Sequence, residues 1–439
     1  MVSQNQMPPL LNSENAPALR VILIGNYEYD HQQSMQRFAR LLAGELSGFG
    51  IPAELCRPLP VFGRLKSSGS GVGKWLGYID KFLIFPFVLK RALRKARAEG
   101  KPNTAFVVHI CDHSNAHYTR YLGRVPHLVT CHDLFAIRQA LGEFAGHGLS
   151  VTGRKLQQLI LVGLRRAAKI VCVSRATAAD VQRIVGKGNA STAVILNGLN
   201  YPYEPMPAEA ARERVVALLQ RHGYSSPVDS YLFHVGANLW YKNRRGVLEI
   251  YAALRERWDA AAGVPPKLLL AGELLTEKLE AFRVTNPAWS ADVVILNTVH
   301  DNEDLRALYS AAELLLFPSL EEGFGWPVSE AQACGCRVVT TNKAPMTEVG
   351  GASAVYLPPE WVNGTTREGY LAAAQALIAL LQESEASRRE RINAGLLNAL
   401  RFSSDQMIRS YVQIYRQLVT GAATSQLTAN CESEPIVSR

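Results

Sequence analysis

Cysteine is scarce in this chain, seven among 439 residues, and no two of them stand in a CxxC pair. An odd count without paired spacing argues against a disulfide framework, and Cys111, Cys131 and Cys172 fall within apolar runs, as reduced buried thiols do. Cys334 and Cys336 are one residue apart in a segment poor in other ligands, which suits small-residue packing and not zinc. Long hydrophobic runs are also missing: none reaches the roughly 18 residues that a membrane-spanning helix needs. Residues 1–18 have neither the basic start nor the apolar core of a secretion signal, so a cytoplasmic location is expected.

Two familiar phosphate-binding signatures are absent as well. The first apolar run, 21–24, ends at Gly25 and leads into Asn26, Tyr27 and Glu28 where a dinucleotide-binding GxGxxG would stand, which argues against a dehydrogenase. The run from Ser68 to Lys74 looks like a P-loop, but serine occupies its first glycine position and Trp75 the place of the magnesium-binding Ser or Thr; it reads as a Ser/Gly loop. His109, His113 and His117 recur every four residues, yet His109 belongs to a strand-like run, so one metal-binding helix face is not expected. The net charge of +9 favours anionic partners, but the basic residues are dispersed apart from 90–97 and no nucleic-acid reader motif is present.

What is abundant is material for a core: hydrophobic residues make up 48% of the chain and charged residues 19%, the balance of a folded protein. The length suggests two large domains. Strand-like runs at 21–24, 105–110, 127–131, 170–173 and 194–196 alternate with helical patterns, the first of them at Met35, Phe38, Leu41, Leu42 and Leu46, with Ser34 placed to cap it. A second set at 231–235, 267–271, 293–296, 314–317 and 337–341 alternates in the same way. Two parallel, helix-covered α/β domains are the expectation, with ligands at the strand ends of a cleft between them. The expected organisation is a flexible tail at 1–17, a first domain at 18–200, a connection at 201–229 where the strand pattern lapses among prolines, a second domain at 230–404, a closing helix at 405–420 and a flexible tail at 421–439.

The most informative stretch is 314–341. An apolar strand ends at Pro318 and is followed by Glu321, Glu322, Gly323, Phe324, Gly325, Trp326, Pro327, Val328, Ser329 and Glu330, so that Glu322 and Glu330 bracket seven residues. The glycines let backbone amides approach a ligand, Pro327 suits a first helical turn, and the helix start attracts a diphosphate. Carboxylates on the loop and about a turn into the helix can accept hydrogen bonds from sugar hydroxyls on either side of that diphosphate. Taken alone, the segment also fits a tight strand-to-helix turn with surface glutamates.

This segment, with the AQACGCRVVTTN that follows, resembles the EGFG-type E-x7-E signature of the retaining glycosyltransferases of family 4, which have the GT-B fold of two Rossmann-like domains. The resemblance extends to FHVGANLWYKN at 233–243, to 268–272, 304–312, TCHDL at 130–134, 173–180 and 195–200, and covers most of residues 20–420. It implies that Glu322 meets the donor sugar's hydroxyls, Glu330 the ribose, the amides of Gly323 and Phe324 the phosphate or sugar, and Lys242 the diphosphate. Gly236, Asn238, Asn243 and Gly325 complete the implied donor site, and His132, followed by Asp133, becomes a cleft residue that contacts the donor sugar or the reacting centre.

The chain departs from the family pattern twice. Gly236, Ala237 and Asn238 stand where an arginine commonly follows the glycine, leaving Arg244 or Arg245 as a substitute; the glycine-rich loop after the first strand is replaced by residues 27–33. Asp30, His31, Gln33, Asp112 and His113 are the acceptor-side candidates. The resemblance implies transfer of a hexose-type sugar from a nucleotide-diphosphate sugar to a saccharide or lipid-linked saccharide, with retention and with neither cofactor nor metal. Residues 75–97 mix aromatic residues with a basic end, which fits an anionic membrane surface as well as a buried helix pair broken at Pro86. A nucleotide-sugar epimerase and a non-catalytic nucleotide-sugar-binding scaffold are the competing functions.

Overall fold

The computed structural model describes residues 18–30, 32–65, 72–99, 104–225, 228–297, 299, 301–364 and 366–431. His31 and positions 68–71 of the Ser/Gly run lie outside the described residues. Twelve strands are present among those described: β1 (Ala18–Ile24), β2 (Ala53–Cys56), β3 (Thr104–Ile110), β4 (His127–Cys131), β5 (Lys169–Cys172), β6 (Thr192–Val194), β7 (Tyr231–Val235), β8 (Lys267–Gly272), β9 (Val293–Asn297), β10 (Leu314–Phe317), β11 (Val338–Thr341) and β12 (Val355–Leu357). They form two six-stranded sheets, ordered β2-β1-β3-β4-β5-β6 and β12-β11-β10-β7-β8-β9. The registered neighbours, such as β1 with β3 and β10 with β11, run parallel.

Both sheets contain strands buried on two faces. Val21 to Ile24 of β1 and all four residues of β10 have no exposed surface, so neither strand shows apolar–polar alternation. In the first sheet the chain steps from β1 to β2 on one side and then to β3 on the other; in the second, β8 and β9 lie on one side of β7 and β10 to β12 on the other. Each sheet therefore has a topological switch point, between β1 and β3 and between β7 and β10, the place where loops diverge and a ligand can enter.

Among the helices, α1 (Gln33–Gly48) buries Phe38, Ala39, Leu42 and Leu46, one stripe at helical spacing. Its flanking residue is Gln32, without a side-chain cap, so Ser34 lies inside the first turn and does not cap the helix. The helix α2 (Phe85–Ala98) carries Pro86 in its first turn, directly after a π-helical turn at Asp80–Ile84, so the helical run is not broken at Pro86. The connection at 201–229 holds a helix, Ala208–Arg221, whose Ala211, Val215, Leu218 and Leu219 are buried. Two further helices matter to the site, α3 (Arg244–Arg257) and α4 (Trp326–Ala333). The last, α5 (Ser404–Cys431), continues past 420, where the sequence reading placed a flexible tail; neither proline nor glycine interrupts 422–431.

The chain divides into two compact units, one of Met1–Val129, Val162–Lys169 and Tyr411–Arg439, the other of Thr130–Leu161 and Ile170–Ser410. In the first, His109 at the end of β3 lies 2.7 Å by its Nδ1 from the Tyr415 hydroxyl and stacks on Tyr411, both from α5. The histidine spacing at 109, 113 and 117 therefore spans a strand and a 3-10 turn (His113–Tyr121), not one helix face. In the second unit, apolar side chains from both faces of the β7–β10 sheet form the core, with Phe233, Phe317, Phe324 and Phe402 on one side and Tyr251, Leu316 and Leu377 on the other.

Candidate active site

At the second sheet's switch point the loops after β7 and β10 meet. After β7, Gly236 donates its N–H to the Ala271 carbonyl, and a 3-10 turn, Trp240–Lys242, brings Lys242 back over the strand ends. Lys242 Nζ lies 2.7 Å from Glu322 Oε1 and sits over the Phe317 ring. Ser319 Oγ is 2.7 Å from the same carboxylate oxygen. Both contacts fall on the Oε1 oxygen of Glu322. The sequence reading gave Glu322 and Lys242 separate roles; the fold makes them one ion pair, with Ser319 as a third member that no spacing rule revealed.

Gly323 and Gly325 work differently. Gly323 is needed for space: a Cβ built on it would stand 1.9 Å from the His132 carbonyl oxygen. Its own carbonyl accepts from Ser174 Oγ at 2.7 Å. Gly325 is needed for conformation, with φ of 97° where the chain turns into α4. Because Gly325, which precedes α4, has no side chain to cap it, the amides at this helix start are not capped by the flanking residue. Phe324 is buried against Trp326 and Phe402, so it anchors the loop and leaves only backbone for a ligand. Glu330 is buried a turn into α4 and accepts from the Tyr309 hydroxyl at 2.9 Å. His132 is buried, with its ring 6.3 Å from that of Trp326.

The two arginines are resolved by the structure. Arg244 points inward: it is buried, donates to Asn238 Oδ1 at 2.7 Å and to the Glu273 carbonyl at 2.6 Å, and burial pulls it down to about 10. Arg245 is exposed on α3, bonded to Glu249 and stacked on Phe282. Asn238 is fastened through its N–H to Glu273 Oε2 at 2.8 Å and through its amide to the Leu274 carbonyl. Asn243 adopts φ of 55°, accepts from Gly246 N–H at 3.1 Å to cap α3, and donates to the carbonyls of Pro318 and Val362. Its side chain ties the β7 loop to the β10 loop. Three residues the sequence did not single out brace these two loops: Arg138 reaches Glu321 at 3.2 Å, Lys343 bonds the other oxygen of Glu321, and Trp240 packs on Phe144 and His147.

His234, under Gly236, has no exposed surface, and its Nδ1–H donates to the Leu316 carbonyl at 2.9 Å. Burial, and then the Arg244 cation, push its pKa from 6.5 down to about 3. A histidine held neutral in the fold and protonated when unfolded stabilises fully above its unfolded pKa of 6.5, and this stability is lost as pH falls towards about 3. In urea titrations the stability difference between the native chain and His234→Gln should shrink from pH 7.5 to pH 5, with a slope of at most about one proton; a difference independent of pH would contradict this.

The acceptor-side candidates lie in the first unit and separate into two groups. Asp112, buried after β3, accepts from Asn26 and from Ser114 Oγ at 2.7 Å, and its Oδ1 is 3.0 Å from His113 Nδ1. Asn26 follows β1 and also bonds Gln32, so the β1–β3 switch point is filled by a polar cluster. Asp30 lies outside it, paired with Lys81 at 3.0 Å, and Gln33 is exposed at the start of α1.

Residues 35–201 match the family described as Glycosyltransferase Family 4, and residues 229–383 match Glycosyl transferases group 1. Among curated proteins, the chain is 31% identical over 202 residues to O-antigen chain mannosyltransferase B of Escherichia coli, covering 44% of this chain and 48% of that one. It is 29% identical over 304 residues to a D-inositol 3-phosphate glycosyltransferase of Xylanimonas cellulosilytica, covering 67% and 66%. The chain thus spans about half the length of the first of these relatives, 48%. Among solved structures, it superposes on sucrose-phosphate synthase from Thermosynechococcus elongatus with a TM-score of 0.61 at 18% identity, covering 92% of this chain and 100% of that one. It superposes on Anabaena HepE in complex with UDP and glucose with a TM-score of 0.59 at 14% identity, covering 90% and 98%. With the E-x7-E segment on the loop after β10, two parallel six-stranded sheets and both halves of the chain matched, the protein belongs to glycosyltransferase family 4, the group 1 glycosyl transferases, and has the GT-B fold.

Proposed function

We propose that the chain transfers a hexose-type sugar from a nucleotide-diphosphate donor to a hydroxyl of a saccharide or lipid-linked saccharide, with retention at the anomeric carbon. The observation that carries this reading is the Lys242–Glu322 pair at 2.7 Å, set at a switch point beside the start of α4. As the bond from the anomeric carbon to the phosphate oxygen breaks, positive charge grows on the sugar and negative charge on the diphosphate. Lys242 and the α4 amides meet the negative charge, and the Glu322 carboxylate accepts from the sugar hydroxyls. The acceptor oxygen bonds to the anomeric carbon from the same face and its proton passes to the departing phosphate oxygen, so neither a protein nucleophile nor a metal is called on. Buried Arg244, fastened by Asn238 and Glu273, adds positive potential behind the phosphates and stands in for the arginine missing after Gly236.

The donor's base and sugar are open to direct measurement. Thermal unfolding with UDP, GDP and their sugar conjugates should show stabilisation by one nucleotide class, about 2.7 kcal/mol at 100 times the dissociation constant. That conjugate should then be consumed only when a saccharide acceptor is supplied. Stabilisation by neither class would overturn the reading; consumption without acceptor would point to an epimerase, and binding without turnover to a scaffold.

A further inference from the structure

Within the first unit, exposed large apolar side chains crowd into one short region. Leu59, Val61, Phe62 and Leu65 are exposed on the loop before the helical segment, and Trp75, Leu83, Phe87 and Val88 follow on it, Trp75 at 63%, Leu83 at 61% and Phe87 at 73% of full exposure. The loop is not there by accident of a loose chain. Asp80, buried at the start of the π-helical turn, accepts from the N–H groups of Val61, Phe62 and Gly63 at 3.0–3.2 Å and from the Tyr27 hydroxyl at 2.9 Å. One carboxylate thus fastens an apolar loop beside the helical segment.

The other half of the region is basic. On α2, Phe85, Leu89, Leu93 and Ala96 are buried, and the opposite, solvent-facing side carries Phe87 and Val88 and then Arg91, Arg94 and Lys95, with Lys90 and Arg97 at its margin. No acidic residue occurs between Asp80 and Glu99. A helix with apolar residues exposed at one end, cations along the rest and no anion among them has the chemistry of a surface that adsorbs to negative headgroups and inserts its apolar end. No helix among the described residues is long and apolar enough to cross a membrane.

We propose that this face, Leu59 to Leu65 with Trp75, Leu83, Phe87 and the basic side of α2, docks on an anionic phospholipid bilayer. The inference deepens the proposed glycosyl transfer, since a bilayer is where a lipid-linked acceptor resides, and rests on it only for that link.

Sedimentation of the full chain with phosphatidylcholine vesicles, with and without phosphatidylglycerol, tests it. Binding should require the anionic lipid and weaken as salt is raised. Neutralising one basic residue should weaken binding about fivefold, so Arg91→Gln with Arg94→Gln should weaken it about thirtyfold. Phe87→Ser should lower binding without changing its dependence on salt. These are surface positions, and unchanged melting temperatures would show the variants folded. Equal pelleting with both vesicles, or none, overturns the proposal, as does a native dimer that Phe87→Ser converts to monomer, which would make the face a contact between copies. Nucleotide stabilisation read on the same variants separates the two ideas: it should persist in all of them, and its presence without vesicle binding sinks the docking surface alone.

Discussion

Lys242→Met is expected to reduce transfer, measured as kcat/KM with the donor class found by thermal shift, by two to three orders of magnitude. Removing one preorganised group aimed at developing charge costs about 10²–10³ in rate. In the proposed reaction Lys242 is such a group, and it is held in place by Glu322 at 2.7 Å and by the Phe317 ring beneath it. Glu322→Gln should cost a similar factor for a different reason, because it keeps the shape but loses the charge that orients Lys242 and weakens the hydrogen-bond acceptor. The informative measurement is the double variant. Two residues that act as one unit lose little more together than singly, so the pair should fall well short of the product of the single effects. Lys242→Arg should not rescue, since a planar guanidinium cannot occupy the site of a compact ammonium with the same contacts. Single variants within about fivefold of the native rate would remove the pair from the reaction, the magnitude being far below that of a leaving-group contact. Additive losses would leave both residues functional but independent.

How much of this was legible beforehand depends on how far apart in the chain the partners lie. The run of apolar residues at 314–317, Pro318 after it and the E-x7-E segment fix a strand, a loop and a helix within one short stretch, and the structure has all three in those places. The same local logic found β7, β8 and β9. It failed where the pattern is weak: β12 is three residues long with only one buried, and nothing in 355–357 stands out as a strand until β11 is there to pair with it. At the site, the residue types were readable and their couplings were not. Asn243 was legible as part of the resemblance, but its φ of 55° and the three side-chain bonds by which it caps α3 and ties the loops together were not. Arg244 against Arg245 is a question of helix phase: adjacent residues on α3 point roughly 100° apart, and only the position of α3 over β8 decides which is buried. Arg138 and Glu321 are 183 positions apart, a separation over which no spacing rule operates.

Gly323→Ala is the second large effect expected, and it separates two reasons for glycine in the same loop. The added methyl would stand 1.9 Å from the His132 carbonyl oxygen, 2.9 Å from its carbon and 3.1 Å from Asp133 Cβ. The first two are backbone atoms at the end of β4 and cannot swing aside as a side chain can. The loop must therefore move, and moving it also loosens the bond from Ser174 Oγ to the Gly323 carbonyl. Overpacking of this kind costs about 1–3 kcal/mol. The catalytic loss should be larger than the loss of stability suggests, because Glu322 is the adjacent residue and a displacement of about 1 Å at a reacting centre costs about 10²-fold. Gly325→Ala meets nothing nearer than Val328 Cγ2 at 4.0 Å, so its cost is the backbone strain at φ of 97° alone. Melting temperatures should fall for both variants, and kcat/KM should fall much further for Gly323→Ala. A Gly323→Ala protein with native stability and native rate would mean that the loop has room the close approach to His132 denies, and that the backbone at 323 does not set the position of Glu322.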